Sequence, residues 1–354
     1  MTASPSLEDV LENVLPDIAD RAGAIDRSDA DPLDDLRVLG HRLDLFDPSA
    51  TSVATAVRVI ESVARASLTV GFVAWAQRMA AEYLALAPAS PLAAARLADV
   101  VAVRRRGVTA MAAGQRQAVG LEKAPVTATS DGAGGYRLSG TVAWASNVAA
   151  DSVVVLAANL PDGGTRVLAV DAADLTVREA PDLLGLNATA SGSLVIEDVA
   201  VPAEAVVSTD LQVFAATMRP RFLLLQTAFC SGVTSAALDA AGPQLAGTGA
   251  VYAGDHADLA ARYGDLRDRL HGYAAQEVAS PGTVAVRDLI ALRLESTTLA
   301  TASTRLGLAL DGGRGYATAS ATNRRFREAS FLPVQSPSEA QLRWELARAE
   351  AAAR

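Results

Sequence analysis

Residues Gly135–Ala157 read GYRLSGTVAWASNVAADSVVVLA. Tyr136, Leu138 and Gly140 alternate with polar neighbours, the period of two that places every second side chain on one face of a strand. Val153, Val155 and Ala157 repeat the pattern, and Val167 to Val170 give a third strand. Asp131-Gly132 and Asp162-Gly163-Gly164 are turn signals between these runs. Short strands, close turns and no intervening helix predict an antiparallel β unit from about Gly107 to Val207.

On both sides of this unit the period changes to that of helices. From about Ser6 to Val103, Val57, Ile60, Val63 and Ala64 recur at three- and four-residue spacing, and a second helix is predicted from Ala74 to Leu86. Asp47-Pro48-Ser49 breaks the pattern, with Pro48 fixing a turn. After Pro202, helices are predicted over Phe222–Ala241, Asp258–Gln276, Val284–Leu310 and Glu339–Ala353. Ser336 as cap, Pro337 in the first turn and Glu339 three residues on form a start signal for the last one. The chain therefore divides into a helical domain (1–104), a β domain (105–208) and a helical bundle (209–354).

Composition fits a packed protein. Of 354 residues, 50% are hydrophobic and 20% charged, which excludes a disordered chain. The net charge of −9 argues against nucleic acid or an anionic membrane as partner. Cys230 is the only cysteine, so no internal disulfide forms, and its apolar neighbours place it in a core. Met1 to Val10 lacks the basic and apolar regions of a signal peptide. The apolar run Phe222–Leu238 carries Gln226, Thr227, Ser231, Thr234 and Ser235, as a buried bundle helix does. A cytoplasmic protein is expected.

Most common chemistries leave no mark. His41, His256 and His271 are scattered and form no metal-ligand spacing, so no metal site is expected. The glycine clusters complete neither GxGxxG nor a P-loop, and GxSxG is absent. Asp34 with Asp35, and Asp265 with Asp268, read as solvated helix faces rather than acid–base pairs.

The order of textures and three strings resemble the acyl-CoA dehydrogenase superfamily. GYRLSGTVAWASNVAADSVVVLA (Gly135–Ala157) is similar to the strand leading into that family's tryptophan-containing flavin loop. LLGLNATASGSLVIEDVAVP (Leu183–Pro202) resembles the segment closing its β domain, and DGGRGYATASATNRRFREASF (Asp311–Phe331) its glycine loop and following turn. The resemblance covers nearly the whole chain. It implies an α+β fold with an N-terminal helical domain, a middle antiparallel β-barrel and a C-terminal four-helix bundle, with FAD between barrel and bundle.

By the same resemblance, Trp144 walls the flavin ring and Ser146 hydrogen-bonds one of its heteroatoms; without it, Trp144 would read as ordinary β-domain core. Thr109, in VTAMAAGQ, matches a loop that contacts the isoalloxazine, or else packs a strand; Gln115 stands where the family has a serine. Gly312, Gly313 and Gly315 let backbone approach a phosphate or adenine. Ser338 falls where the family has a hydroxyl near the pyrophosphate, at a helix start, or is simply a solvated first-turn residue.

The departures bear on the reaction. α,β-Dehydrogenation of an acyl thioester needs a base for the α-proton while hydride goes to the flavin, and a carboxylate suits that task. Counted from Gly312-Gly313, the family's glutamate falls at Asn323, an amide. The alternative position on the first bundle helix falls at Phe222, beside Arg221. An arginine that grips FAD across a dimer falls near Thr248, and a glutamine before the glycine loop at Ala309. The expectation is a flavin-dependent oxidoreductase, with FAD-dependent dehydrogenation of an acyl thioester first. A flavin monooxygenase, or a non-catalytic subunit paired with a complete paralogue, is the alternative. A homodimer, homotetramer or hetero-oligomer is expected as the assembly.

Overall fold

The computed structural model describes residues 6–180 and 182–352. Five helices come first: α1 (Leu7–Asp26), α2 (Leu33–Leu43), α3 (Val53–Ala66), α4 (Leu68–Leu84) and α5 (Pro91–Val101). The sheet region holds β1 (Gly107–Ala110), α6 (Ala112–Ala118), β2 (Thr127–Ser130), β3 (Tyr136–Ala145), β4 (Val153–Asn159), β5 (Thr165–Asp171), β6 (Thr176–Glu179), β7 (Gly192–Val201) and β8 (Val206–Ser208). Helices then return as α7 (Leu211–Ala241), α8 (Ala253–Ala279), α9 (Val286–Asp311), α10 (Gly313–Tyr316), α11 (Ala321–Ala329) and α12 (Glu339–Ala352).

The predicted strands at Tyr136, Val153 and Val167 are present, but they do not build an antiparallel barrel. The sheet runs β6-β7-β3-β2-β4-β5-β8, with β1 also pairing β4, and no pairing joins β6 to β8. It is open, and it is mixed: β1 and β2 both run parallel to β4, at Gly107–Ala110 against Val153–Leu156 and at Thr127 against Asn159. The physical reason is α6, a short helix that carries the chain from β1 to β2 without reversing it. Period-two patterning shows strands and not the direction of their neighbours.

The four long C-terminal helices are where the periodicity puts them, with different ends. α7 begins at Leu211, earlier than predicted, because Asp210 Oδ1 accepts the Gln212 and Val213 N–H groups (2.8 and 3.0 Å) and Pro220 is tolerated inside. For α12, the hydroxyl that accepts a first-turn N–H is Ser338, from Gln341 at 3.3 Å, not the predicted Ser336. The predicted end at Ala353, like residues 1–5 of the signal-peptide reading, lies outside the described residues.

The helices before and after the sheet share a single apolar core. Ile60, Val73, Phe72 and Trp75 pack with Phe222, Phe229, Leu292 and Leu299 in it, and one face of β4 and β5 joins through Val155, Ala157 and Ala169. The other face of the sheet closes over a second core around Leu138, Leu156, Leu168 and Leu194. α3 and α7 touch backbone to backbone: a Cβ at Gly232 would lie 2.2 Å from the Glu61 carbonyl oxygen, so only glycine fits. All seventeen residues of α4 are buried. Within it, Arg78 donates to Glu82 (2.7 Å) and to the Leu45 and Thr51 carbonyls (2.6 and 2.8 Å), tying the α2–α3 turn to α4. Arg221 of α7 completes the cluster at 2.8 Å from Glu82.

Cys230 is buried in this core, as predicted, and burial pushes its thiol up. α7 is long and apolar enough to cross a membrane, yet 89% of its most apolar window is buried in the fold. One expectation about surface charge fails. Asp35 is buried, not solvated; Arg21 approaches one oxygen at 3.1 Å while the other has no partner among the described residues, and burial pushes its pKa up to about 6.

Candidate active site

Where the shared helical core meets the sheet, a cavity of about 540 Å³ opens between α4, the start of α6, the end of β3, the segment 183–191, α7 and the α11–α12 connection. β3 explains how Trp144 comes to line it. Strict alternation from Leu138 would carry Trp144 inward, onto the face of Val142 and Leu138. The β3–β7 register instead slips between Val142 and Ala145, so Ala143 and Trp144 both face outward. Trp144 is consequently 57% exposed, with its ring on the cavity.

Ser146 borders the same space, in a hydroxyl relay whose polarity can be worked out. Thr189 Oγ1 donates to the Leu186 carbonyl at 2.7 Å, which uses its only hydrogen. In the 2.7 Å Thr189–Ser191 contact the donor must then be Ser191, and in the 2.7 Å Ser146–Ser191 contact it must be Ser146. Ser146 therefore turns only lone pairs toward the cavity. It is built to accept a hydrogen bond.

Thr109 also lines the cavity, with its hydroxyl 3.4 Å from that of Tyr83, whose own pKa burial raises. Thus three of the residues singled out in the sequence, Thr109, Trp144 and Ser146, converge on one space. Phe222 stands in its wall as well.

The remaining candidates lie elsewhere. Asn323 is buried outside the cavity, donating to the Tyr316 carbonyl (3.2 Å) and accepting from Arg327 (2.7 Å). Gly312, with φ of 56°, turns the chain out of α9; a Cβ there or at Gly313 would meet nothing within 4 Å, so neither glycine is required by packing within this chain. Ser338 is engaged in capping α12. Glu328 is sequestered between Thr69 and Arg324, and burial raises its pKa.

Several wall residues carry no sequence signal of their own. Phe72 and Trp75 sit in an unbroken apolar helix and read as core. Leu183–Leu186 lie in a loop, held by Arg327, which donates to the Leu184 carbonyl at 3.2 Å while pairing with Asp26. Gln335 and Ser336 reach the cavity because the chain folds back after α11. Among the described residues of the wall there is no Asp, Glu, His, Cys or Tyr; its ionisable members are Arg116 and Arg327. No His, Cys, Asp or Glu cluster suited to a metal occurs among the described residues.

Two polar atoms of wall residues are buried without a partner among the described residues, Trp75 Nε1 and Ser336 Oγ. Buried donors of this kind are normally satisfied. The exposed indole of Trp144 and the acceptor at Ser146 give the space an aromatic face and a polar contact.

Solved structures share this architecture end to end. The glutaryl-coenzyme A dehydrogenase–glutaryl-CoA complex superposes with a TM-score of 0.84 at 18% identity, covering 100% of this chain and 98% of that one. A glutaryl-CoA dehydrogenase from Mycobacterium smegmatis in complex with FADH2 gives 0.84 at 15%, covering 97% and 93%. Dibenzothiophene monooxygenase from Paenibacillus sp. A11-2 gives 0.80 at 20%, covering 98% and 97%. No family model matches the sequence, and no curated protein matches it. The chain has the acyl-CoA dehydrogenase fold, and that fold also serves a monooxygenase.

Proposed function

We propose that this protein is an FAD-linked oxidoreductase that works without a carboxylate base, and that its reaction is oxygenation of a largely apolar organic substrate rather than α,β-dehydrogenation of an acyl thioester. The observation that carries this reading is the cavity wall. It offers an aromatic face and hydroxyls but no side chain able to take an α-proton near neutral pH, and Phe222 occupies the one wall position where a base was expected.

The residues fit the cofactor. Trp144 supplies the apolar wall, and Thr109 and Ser146 stand beside it. When bound, a flavin accepts hydride or, once reduced, reacts with dioxygen. The lone pairs that Ser146 presents match the N–H that a reduced isoalloxazine carries at N5 and an oxidised one lacks. The site thus favours the reduced form, as suits an enzyme that receives its flavin already reduced from a reductase. Phe72, Trp75 and Phe331 line the substrate side and exclude water from it. Gly312 and Gly313, open on the surface, and Ser338 at the head of α12 are the proposed contacts for the distant end of the cofactor, completed by a second subunit in a cytoplasmic oligomer.

The test begins with the visible spectrum of the purified protein before and after adding FAD, which should show bound flavin. Anaerobic butyryl-CoA should leave that spectrum unbleached, while the photoreduced complex should consume dioxygen. Bleaching by the thioester would overturn the oxygenase reading. A protein that takes up neither FAD nor FADH2 would overturn both enzyme readings in favour of a partner subunit.

A further inference from the structure

The two ionisable side chains of the cavity wall, Arg116 of α6 and Arg327 of α11, are bound in opposite ways. Arg327 is saturated. Its Nε donates to Asn323 Oδ1 (2.7 Å), its Nη1 to Asp26 Oδ1 (2.9 Å) and the Leu184 carbonyl (3.2 Å), and its Nη2 to Asp26 Oδ2. The side chain of Asp26 is only 7% exposed, so a ligand that took Arg327 from it would leave a buried charge uncompensated.

Arg116 is held loosely. Its Nε donates to Glu122 Oε1 at 2.6 Å, and its Nη2 approaches the same oxygen at 2.5 Å. Nη1 donates to nothing among the described residues. Glu122 lies on the α6–β2 connection, outside the wall, and its side chain is 55% exposed against 37% for that of Arg116. Arg116 thus reaches from the cavity to solvent, and its pair with Glu122 is of the surface kind that contributes little. An anion entering the cavity would exchange one carboxylate for another at this guanidinium, and among the described residues of the wall no carboxylate repels it. The rest of the wall decides what such an anion is attached to. Phe72 and Trp75 stack with centroids 5.4 Å apart; Phe331 meets Phe72, and Phe222 meets Trp75, nearly at right angles with centroids 5.2 Å apart. These rings offer faces and edges to an apolar body.

We propose that Arg116 is a specificity residue for an amphipathic substrate, whose apolar body packs against these aromatic rings and whose single carboxylate is received by Arg116 in place of Glu122. One guanidinium released from one glutamate balances one negative charge, and its planar fork matches a carboxylate through two N–H groups. The inference deepens the oxidoreductase reading by naming the substrate class, and it rests on that reading only for the chemistry that follows binding.

Calorimetric titration of the purified full-length protein with 2-naphthoate and its neutral isostere 2-naphthamide tests it. Naphthoate should bind on the order of tenfold more tightly, the difference between a charge-assisted and a neutral hydrogen bond. Arg116→Gln should erase that preference while leaving naphthamide affinity unchanged. Glu122→Gln removes the competing carboxylate, and should tighten naphthoate by roughly two- to fivefold, the worth of a surface ion pair, with no effect on naphthamide. A purely structural role for the pair predicts the opposite, since both variants would then weaken both probes alike. No naphthoate preference in the unmodified protein, a preference that survives Arg116→Gln, or weaker naphthoate binding in Glu122→Gln would overturn the assignment. Uptake of FAD by the same samples is a separate readout. Naphthoate preference in a protein unable to bind flavin upholds the role of Arg116 and sinks the oxidoreductase reading; flavin uptake without that preference does the reverse.

Discussion

Replacing Trp144 by alanine removes the aromatic wall on which the flavin assignment depends, and the structure sets the size of the effect. A tryptophan side chain offers at most roughly 250 Å². With 57% of Trp144 exposed, about 140 Å² is open toward the cavity. A stacked planar ring covers one face, roughly half of that, or about 70 Å². At about 25 cal/mol per Å² this is about 1.8 kcal/mol, to which aromatic stacking adds about 1 kcal/mol. Trp144→Ala should therefore weaken FAD binding by about 2–3 kcal/mol, roughly thirty- to a hundred-and-fiftyfold in Kd. Trp144→Phe should recover most of it. The side chain lies outside both apolar cores, so the far-ultraviolet circular dichroism and the unfolding midpoint should barely move. Titration of FAD fluorescence in both variants measures the ratio. A Kd within threefold of the parent, with the fold intact, would refute the placement of the flavin on this face.

Other outcomes follow from the same geometry. Ser191→Ala frees the Ser146 hydroxyl to turn its hydrogen into the cavity, so the ratio of oxidised to reduced flavin affinity should rise; an unchanged midpoint potential of the bound flavin would contradict the relay. Asn323→Glu should create no thioester dehydrogenation, since the residue sits outside the cavity beside Arg327, whereas Phe222→Glu puts a carboxylate in its wall; anaerobic bleaching by butyryl-CoA distinguishes the two. For Asp35, a carboxyl whose folded pKa of about 6 exceeds its unfolded value near 3.8, the folded state holds the extra proton. Stability then falls as pH rises between those values, by about 3 kcal/mol in the limit. Asp35→Asn should be indistinguishable from the parent near pH 3.5 and more stable above pH 6, by urea unfolding at both.

Much of the architecture is legible in the sequence because it is periodic. The strands at Tyr136 and Val153 and the helices of the bundle announce themselves through spacing alone. What periodicity lacks is direction and irregularity. The α6 connection makes two strand pairs parallel, and the slip in β3 turns Trp144 from an inward to an outward position; neither follows from alternation. The site was legible where one residue type stands out, as with Trp144 or a serine in a polar loop. Position counted along the chain does not tell where a residue lies in space. Counting from Gly312-Gly313 stops at Asn323, but α11 carries that residue away, and the return of the chain about a dozen residues later brings Gln335 and Ser336 to the cavity instead.

The core common to the leading and trailing helices has a consequence for synthesis on the ribosome. α4 ends at Leu84, and every one of its residues is destined for burial, against α3, α5 and β1 but also against α7, which is complete only at Ala241. About 160 residues, including the whole sheet, are translated in between. At 5–20 residues per second this leaves an unsatisfied apolar helix outside the exit tunnel for roughly 8–30 s. The sheet, with a core of its own, can condense during that wait; the sides of α3 and α4 that receive α7 stay uncovered. Nascent chains stalled before α7 should therefore recruit a holding chaperone to α4, and those stalled after α9 should not.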